Sequence, residues 1–297
     1  MAACGSRDEP PSRKASRALK QVASPELGRA ERQRLIDALS ADYGVHPYGK
    51  WRGSFWRLSA LVDLGVARGH RGAVRAAMET LDWLASPRRL ATIRRRVIDG
   101  RVRRCASMEG RSLYCCLRVG VDDPRLDSLA EALIESQWPD GGWNCDRAPG
   151  ATHSSFHESW GPLLGLAAYG ATEAAARAAD FFLRHRVVFS ERTGEVADHG
   201  LLALRYPAYW HYDLLVGLWA LAESVSLDDG RVRDALALLE AKRASDGGWH
   251  VEGRWWRPPG SKGSNVEAVD WTSTADRLLT ARARSVLAAA RTLQPVG

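Results

Sequence analysis

Asp122, Asp123, Arg125, Asp140, Gly141, Gly142 and Trp143 recur, in the same order and with the same gaps, 106 positions later as Asp228, Asp229, Arg231, Asp246, Gly247, Gly248 and Trp249. Seven identities at one offset mark a duplicated unit. Fainter copies fall between and before these two: Thr193-Gly194-Glu195-Val196 lies halfway, and Asp99-Gly100-Arg101-Val102 and Tyr48-Gly49-Lys50-Trp51 lie upstream. The chain thus carries five Gly-x-(Trp/Val) turns, at Gly49, Gly100, Gly141, Gly194 and Gly247. A period of ~20–50 residues signals stacked supersecondary units, none of which can bury its apolar face alone.

Each turn follows an amphipathic segment. One opens at Ser24-Pro25-Glu26 and runs to about Ser40, with Ser24 as cap, Pro25 in the first turn and Glu26 at the positive helix end. Another opens at Asp123-Pro124 and sets Leu126, Leu129, Leu133 and Gln137 on one face; comparable segments lie near 71–85, 171–186 and 229–243. After each turn comes a segment that is apolar nearly all round: 53–66, 105–119, 152–169, 206–222 and the more polar 269–293. A helix with almost no polar face is a buried helix. The alternation predicts an all-α fold, a single α/α toroid of about five inner and five outer helices over residues 24–297, preceded by a disordered leader at 1–23. All inner helices would then present their N-termini, with unpaired N–H groups, to one mouth.

Composition narrows the class. With 45% hydrophobic and 26% charged residues the chain is an ordinary globular sequence with length enough for a core. The sequence shows no apolar run of membrane-spanning length and no secretory signal, which gives a cytoplasmic expectation without a transmembrane segment. The five cysteines are odd in number and scattered, so thiols or metal ligands are expected rather than a disulfide framework. The net charge of +7 owes much to eight arginines between Arg88 and Arg104. A solvated outer face is the favoured reading of that run, and contact with an anion such as a diphosphate the alternative; nucleic acid is not an expected partner, because no interleaved aromatics accompany it.

Leu133-x3-Gln137-x3-Gly141-x-Trp143 resembles, without a gap, the QW motif of squalene-hopene and oxidosqualene cyclases. Leu239-x3-Arg243-x3-Gly247-x-Trp249 departs from it only in Arg for Gln. The chain is therefore similar to the terpenoid cyclase and protein prenyltransferase superfamily, whose fold is the α/α toroid. In that family the Gln and Trp of the motif brace helix ends, which is also the reading of Gln137, Trp143 and Trp249 from their chemistry alone. The D-x-D-D acid of the squalene cyclases is absent; the doublets Asp122-Asp123 and Asp228-Asp229 sit at helix starts, where capping explains them. Prenyltransferase β-subunits hold zinc with Asp-x-Cys and a His; the Asp-x-Cys is missing here, and only His211, in Tyr209-Trp210-His211-Tyr212, matches the segment carrying that His.

Polar residues out of character with buried helices gather at the expected mouth: Cys105 and Glu109, Cys145, His153, His157 and Glu158, and His211 with Asp213. Cys105, Cys145, His153, His157 and His211 make a Cys/His set suited to zinc, and His153 and His157 are spaced four apart as on one helix face. Hydrogen-bonded barrel histidines and apolar filler cysteines are the alternative. Cys115 and Cys116 are expected in the core. Nine aromatics, among them Trp51, Trp56, Trp160 and Trp210, either line a cavity or pack between helices, and the segment from His250 to Val266 is either a lid or a surface excursion.

The expected function is an enzyme acting on an isoprenoid or other apolar substrate inside the barrel, with a metal at the mouth and Glu158 or Asp213 as acid or base. The alternative is a non-catalytic toroid that binds a hydrophobic ligand or a partner protein; a third reading is a subunit requiring a partner subunit. Lacking the D-x-D-D acid, the protein incubated with squalene is expected to yield no hopene or other polycyclic product by gas chromatography, and detection of one would show that an aspartate doublet protonates alkenes.

Overall fold

The computed structural model describes residues 27–94 and 96–291. The leader expected at 1–23 and the cap expected at Ser24 lie outside those residues. The described chain is all-α but for one small hairpin: α1 (Arg29–Ser40), α2 (Ser54–Asp63), α3 (Arg71–Leu84), α4 (Pro87–Arg94), β1 (Val97–Ile98), β2 (Arg101–Val102), α5 (Ala106–Val119), α6 (Arg125–Glu135), α7 (Phe156–Tyr169), α8 (Thr172–Arg184), α9 (Leu214–Ser224), α10 (Arg233–Ala241) and α11 (Ala275–Arg291). No helix among the described residues is long and apolar enough to cross a membrane.

The segments without a polar face are indeed the buried helices. From Leu214 to Ala222 every residue of α9 is buried, and so is most of α7. In chain order α2 packs on α5, α5 on α7, α7 on α9 and α9 on α11. The amphipathic helices bridge them from outside: α3 lies on α2 and α5, α6 on α5 and α7, α8 on α7 and α9, and α10 on α9. Two ion pairs return the last helix to the first ones, Arg277 to Glu31 of α1 at 2.5 Å and Arg282 to Asp63 of α2 at 3.0 Å.

The sequence boundaries move where caps intervene. α1 begins at Arg29, past the expected start, with Gly28 as its cap. α9 begins at Leu214 rather than 206, because Asp213 takes the Val216 N–H at 2.9 Å and closes off the loop that contains Pro207. α4 and the β1–β2 hairpin were not anticipated. They fold the arginine-rich stretch back on itself, with Arg103 N–H donating to Arg96 O at 2.7 Å.

The α5–α7 crossing is the most extensive helix–helix contact among the described residues. A Cβ placed on Gly110 would lie 2.1 Å from Pro162 N, on Gly161 it would lie 2.2 Å from Ser107 O, and on Gly165 it would lie 2.4 Å from Gly110 O. The two backbones touch because three glycines leave nothing between them.

The duplicated turns share their bonding as well as their residues. Gly141 N–H donates to Trp138 O and Gly247 N–H to Ala244 O, both at 2.9 Å. The Trp143 indole N–H reaches Leu133 O at 3.0 Å and the Trp249 indole N–H reaches Leu239 O at 2.7 Å. Each indole thereby adds a donor to a last-turn carbonyl, beside the Ser136 hydroxyl at Leu133 O and the Lys242 N–H at Leu239 O. Gln137 Nε2 donates to Gly141 O (2.8 Å) and Ala174 O (3.0 Å), so the amide braces its turn against α8. Asp123 and Asp229 accept the N–H groups of Arg125 and Arg231 at 2.9 Å, which makes both of them helix caps.

Both tryptophans are fully buried. Trp143→Ala and Trp249→Ala should each cost ~3–5 kcal/mol in urea unfolding, as other large-to-small core changes do. A loss below ~1 kcal/mol would mean that the turn refills the space.

Candidate functional site

The glycine contact fixes where the N-termini of α5 and α7 meet. Cys105 is the residue before α5 begins, and Glu158 lies in the first turn of α7. The Glu158 carboxylate crosses to α5 and accepts Ser107 N–H at 3.0 Å and Ser107 Oγ–H at 3.1 Å, filling a place that a capping side chain of α5 would otherwise take. A backbone bond from Arg104 N–H to Asn144 O at 3.3 Å joins the residues that precede Cys105 and Cys145. Arg103, fully buried, pins the same loop by donating to Ala151 O at 2.7 Å.

The two cysteines meet as a result. Cys145 lies within interaction range of both the Cys105 thiol and the Glu158 carboxylate, and its single S–H can serve one of them at a time. The bond between the two thiols, offsetting burial, holds the Cys105 thiol down at about 7. Cys145 is pushed up, first by the same bond and then by burial. Burial also raises Glu158 above the usual carboxylate range, against the hydrogen bonds from Ser107 and Cys145. The interaction between the two thiols thus favours loss of a single proton from the pair and opposes loss of the second.

Cys105 opens on a cavity of about 540 Å³ between α3, α4, α5 and the loop before α2. Arg88, Arg89 and Arg96 are among its lining residues, and Tyr48, Trp83, Ile93 and Met108 supply apolar surface. Arg96 Nη1 lies 3.8 Å from Cys105 Sγ, and its buried Nε has no partner among the described residues. Arg89 is tied to Glu109 at 2.6 Å, and Arg104 hydrogen-bonds the other oxygen of that fully buried carboxylate. Part of the arginine run thus faces a cavity instead of bulk water. The cavity could have been inferred from sequence only by pairing the run with Cys105, and the hairpin that brings them together has no periodic signal.

The remaining residues of the expected site lie apart. His157 Nδ1 accepts the Tyr212 N–H at 2.8 Å, and its ring centroid is 6.2 Å from that of His211. His211 is stacked between Trp210 at 3.9 Å and Trp255 at 3.7 Å, and burial pushes it down to about 3. Burial lowers His157 too, so both rings are neutral. His153 is exposed on the loop before α7. Asp213 is buried and raised to about 6 by burial, and its oxygens serve Val216 N–H and Arg205 N–H. It caps α9.

The five residues read as zinc ligands therefore divide into a Cys105–Cys145 pair, a His157–His211 pair and an exposed His153. Among the described residues no group of three or more His, Cys, Asp and Glu side chains is arranged to hold a metal ion. A closed zinc site needs four ligands and a catalytic one three, more than either pair supplies by itself. Cys115 and Cys116 are fully buried in α5, as expected.

The centre of the bundle differs from expectation. Between α2, α5, α7, α9 and α11 the cavity lined by Trp56, Arg111, Trp160 and Trp219 measures about 20 Å³, room for a single water. Arg111 and Arg282 share Asp63 there, at 2.5 and 3.0 Å, and both guanidinium groups lie over the Trp219 ring. Of the two readings of the inner-helix aromatics, packing between helices describes this place, where Trp56, Trp160 and Trp219 meet one another's neighbours and arginine. The segment from His250 to Val266 crosses the loops at this end, with Trp51 indole N–H on Trp255 O at 3.1 Å and Trp256 indole N–H on Tyr206 O at 3.1 Å.

Comparison of the chain with protein-family models, with curated proteins and with solved structures finds no match.

If Cys145 holds the Cys105 thiolate, alkylation of Cys105 by iodoacetamide should follow a midpoint near pH 7 and slow below it as the thiolate takes up a proton. Cys145→Ala should move that midpoint upward, toward the ~8.5 of a free cysteine. An unchanged midpoint, read by peptide mass spectrometry, would remove Cys145 from the account.

Proposed function

We propose that this chain is an α/α toroid of the kind its QW-like repeats resemble, and that it is an enzyme using Cys105 as nucleophile on an amphipathic anion bound beside α4. The carrying observation is that the Cys105 thiol, Arg96 and an apolar wall of Trp83, Ile93 and Met108 border one cavity of about 540 Å³. The order of helix packing and the ion pairs from α11 back to α1 and α2 support the toroid. The filled centre argues for chemistry at the helix ends and against a polyene held inside the ring.

In this reading the anionic group lies on Arg88 and Arg96, and the apolar part on Trp83, Ile93 and Met108. Guanidinium groups bind phosphate or carboxylate through paired, charge-assisted hydrogen bonds, and the partnerless Arg96 Nε supplies one. Cys105 Sγ attacks the electrophilic atom of the substrate. Cys145 keeps it deprotonated, and Glu158 is the adjoining acid through which a proton can be returned to the leaving group. Asp213 has no part, since it caps α9. No step is routed through a metal.

Titration with dodecyl phosphate by calorimetry tests this. Binding is expected, with Arg96→Ala weakening it at least about tenfold, the loss of one charge-assisted contact of ~1.5–3 kcal/mol. Equal binding of dodecanol would show that charge is not recognised. Binding of the anion with no chemistry dependent on Cys105 would favour the non-catalytic toroid, and no binding of either would refute the site.

A further inference from the structure

Of the four described cysteines, two are sealed. Cys115 and Cys116 sit in the middle of α5, fully buried, and although adjacent in sequence they share no hydrogen bond with each other; Cys115 Sγ meets only Ser59 Oγ at 4.0 Å. Cys105 and Cys145 are different. Both are free and half-buried, they lie on separate loops tied by the Arg104–Asn144 backbone bond, and one of them borders a cavity. Arg96 stands 3.8 Å from the sulfur that faces that cavity. On the far side the Glu158 carboxylate, held by Ser107, adjoins the other sulfur.

We propose that Cys105 and Cys145 form a two-thiol redox site that reduces a hydroperoxide and closes as a Cys105–Cys145 disulfide. The placement assigns the roles. A peroxide reaches Cys105 from the cavity, where Arg96 can stabilise charge developing on the departing oxygen. The Cys105 thiolate attacks the outer peroxide oxygen, which keeps its hydrogen; the S–O bond forms, the O–O bond breaks, and the alkoxide leaves and takes a proton from water in the cavity to give the alcohol. This gives a sulfenic acid on Cys105. Cys145 then loses its proton to Glu158 and attacks the Cys105 sulfur. The S–S bond forms, the S–O bond breaks, and hydroxide leaves with the proton from Glu158 as water. Two thiols give up two electrons and the peroxide takes them. An external dithiol must restore the pair by exchange.

The site uses the same cavity as the proposed anion site but does not depend on that reading, because its readout involves no anionic ligand. The full chain carrying Cys4→Ser is treated with a small excess of tert-butyl hydroperoxide and digested without reduction. The expected product has lost two hydrogens and contains one cross-linked peptide joining Cys105 to Cys145, and dithiothreitol reverses it. In Cys145→Ser the sulfenic acid should persist on Cys105 and be trapped by dimedone. In Cys105→Ser the remaining Cys145 should react at least tenfold more slowly, with circular dichroism confirming that both variants fold. Two free thiols at Cys105 and Cys145 after complete peroxide exposure would overturn the proposal, as would a cross-link through Cys115 or Cys116. So would a zinc ion found on the pair whose removal is required before peroxide reacts. Absence of dodecyl phosphate binding together with formation of the disulfide would refute the anion site and leave the redox site standing.

Discussion

Backbone contact between α5 and α7 is the constraint from which the rest follows. Gly110, Gly161 and Gly165 let the two helices approach until a single methyl group would overlap main-chain atoms. At that separation the first turn of α7 can reach α5, and Glu158 takes over the unpaired N–H of Ser107. A wider spacing would leave a carboxylate and a helix end both buried and both unsatisfied, a cost larger than most single packing defects. The site is therefore a consequence of helix packing, with the loops positioned by what the two helix ends demand.

Electrostatics then sorts the arginines. Arg103 and Arg104 are buried, the first with Nη1 on a loop carbonyl and its Nε and Nη2 without a partner among the described residues, the second on Glu109. Arg89 shares that carboxylate. Arg96, with a thiol sulfur near Nη1 and no partner for its Nε among the described residues, brings charge to the cavity together with Arg88. The centre of the bundle shows the opposite economy: Arg111 and Arg282 are both directed at Asp63 and at the face of Trp219, where two cations and one anion are accommodated by aromatic rings instead of by water.

Much of the fold was legible in the sequence because its signals are local. The alternation of amphipathic and uniformly apolar segments placed ten of the helices, and the Asp-Gly-Gly-Trp repeat announced turns that prove to have matching hydrogen bonds at both copies. The site was legible only as a set of candidates. Glu158 and Cys105 share the α5–α7 junction, but His211 is stacked between its neighbour Trp210 and Trp255, which belongs to a distant loop, and Asp213 caps its own helix, so neither distinction has a periodic signal. The hairpin of β1 and β2 carries four residues of strand and no period, yet it decides that Arg96 faces Cys105. Trp56, Trp160 and Trp219 illustrate the remaining gap: the sequence says that aromatics lie on inner helices, while whether they surround a void depends on side chains from several helices at once.

The closed centre has a consequence for how such a chain can change. Because the inner helices are packed against each other through Trp56, Trp160, Trp219 and the Asp63 cluster, they act in the proposed reading as a plinth beneath a site at their ends. The segments at their N-terminal ends can then be lengthened, exchanged or recharged without disturbing that interior, as the loops at one end of a barrel enzyme can be varied over a constant frame. A protein with a hollow ring must alter its core to accept a new substrate. Here the core is indifferent to that choice.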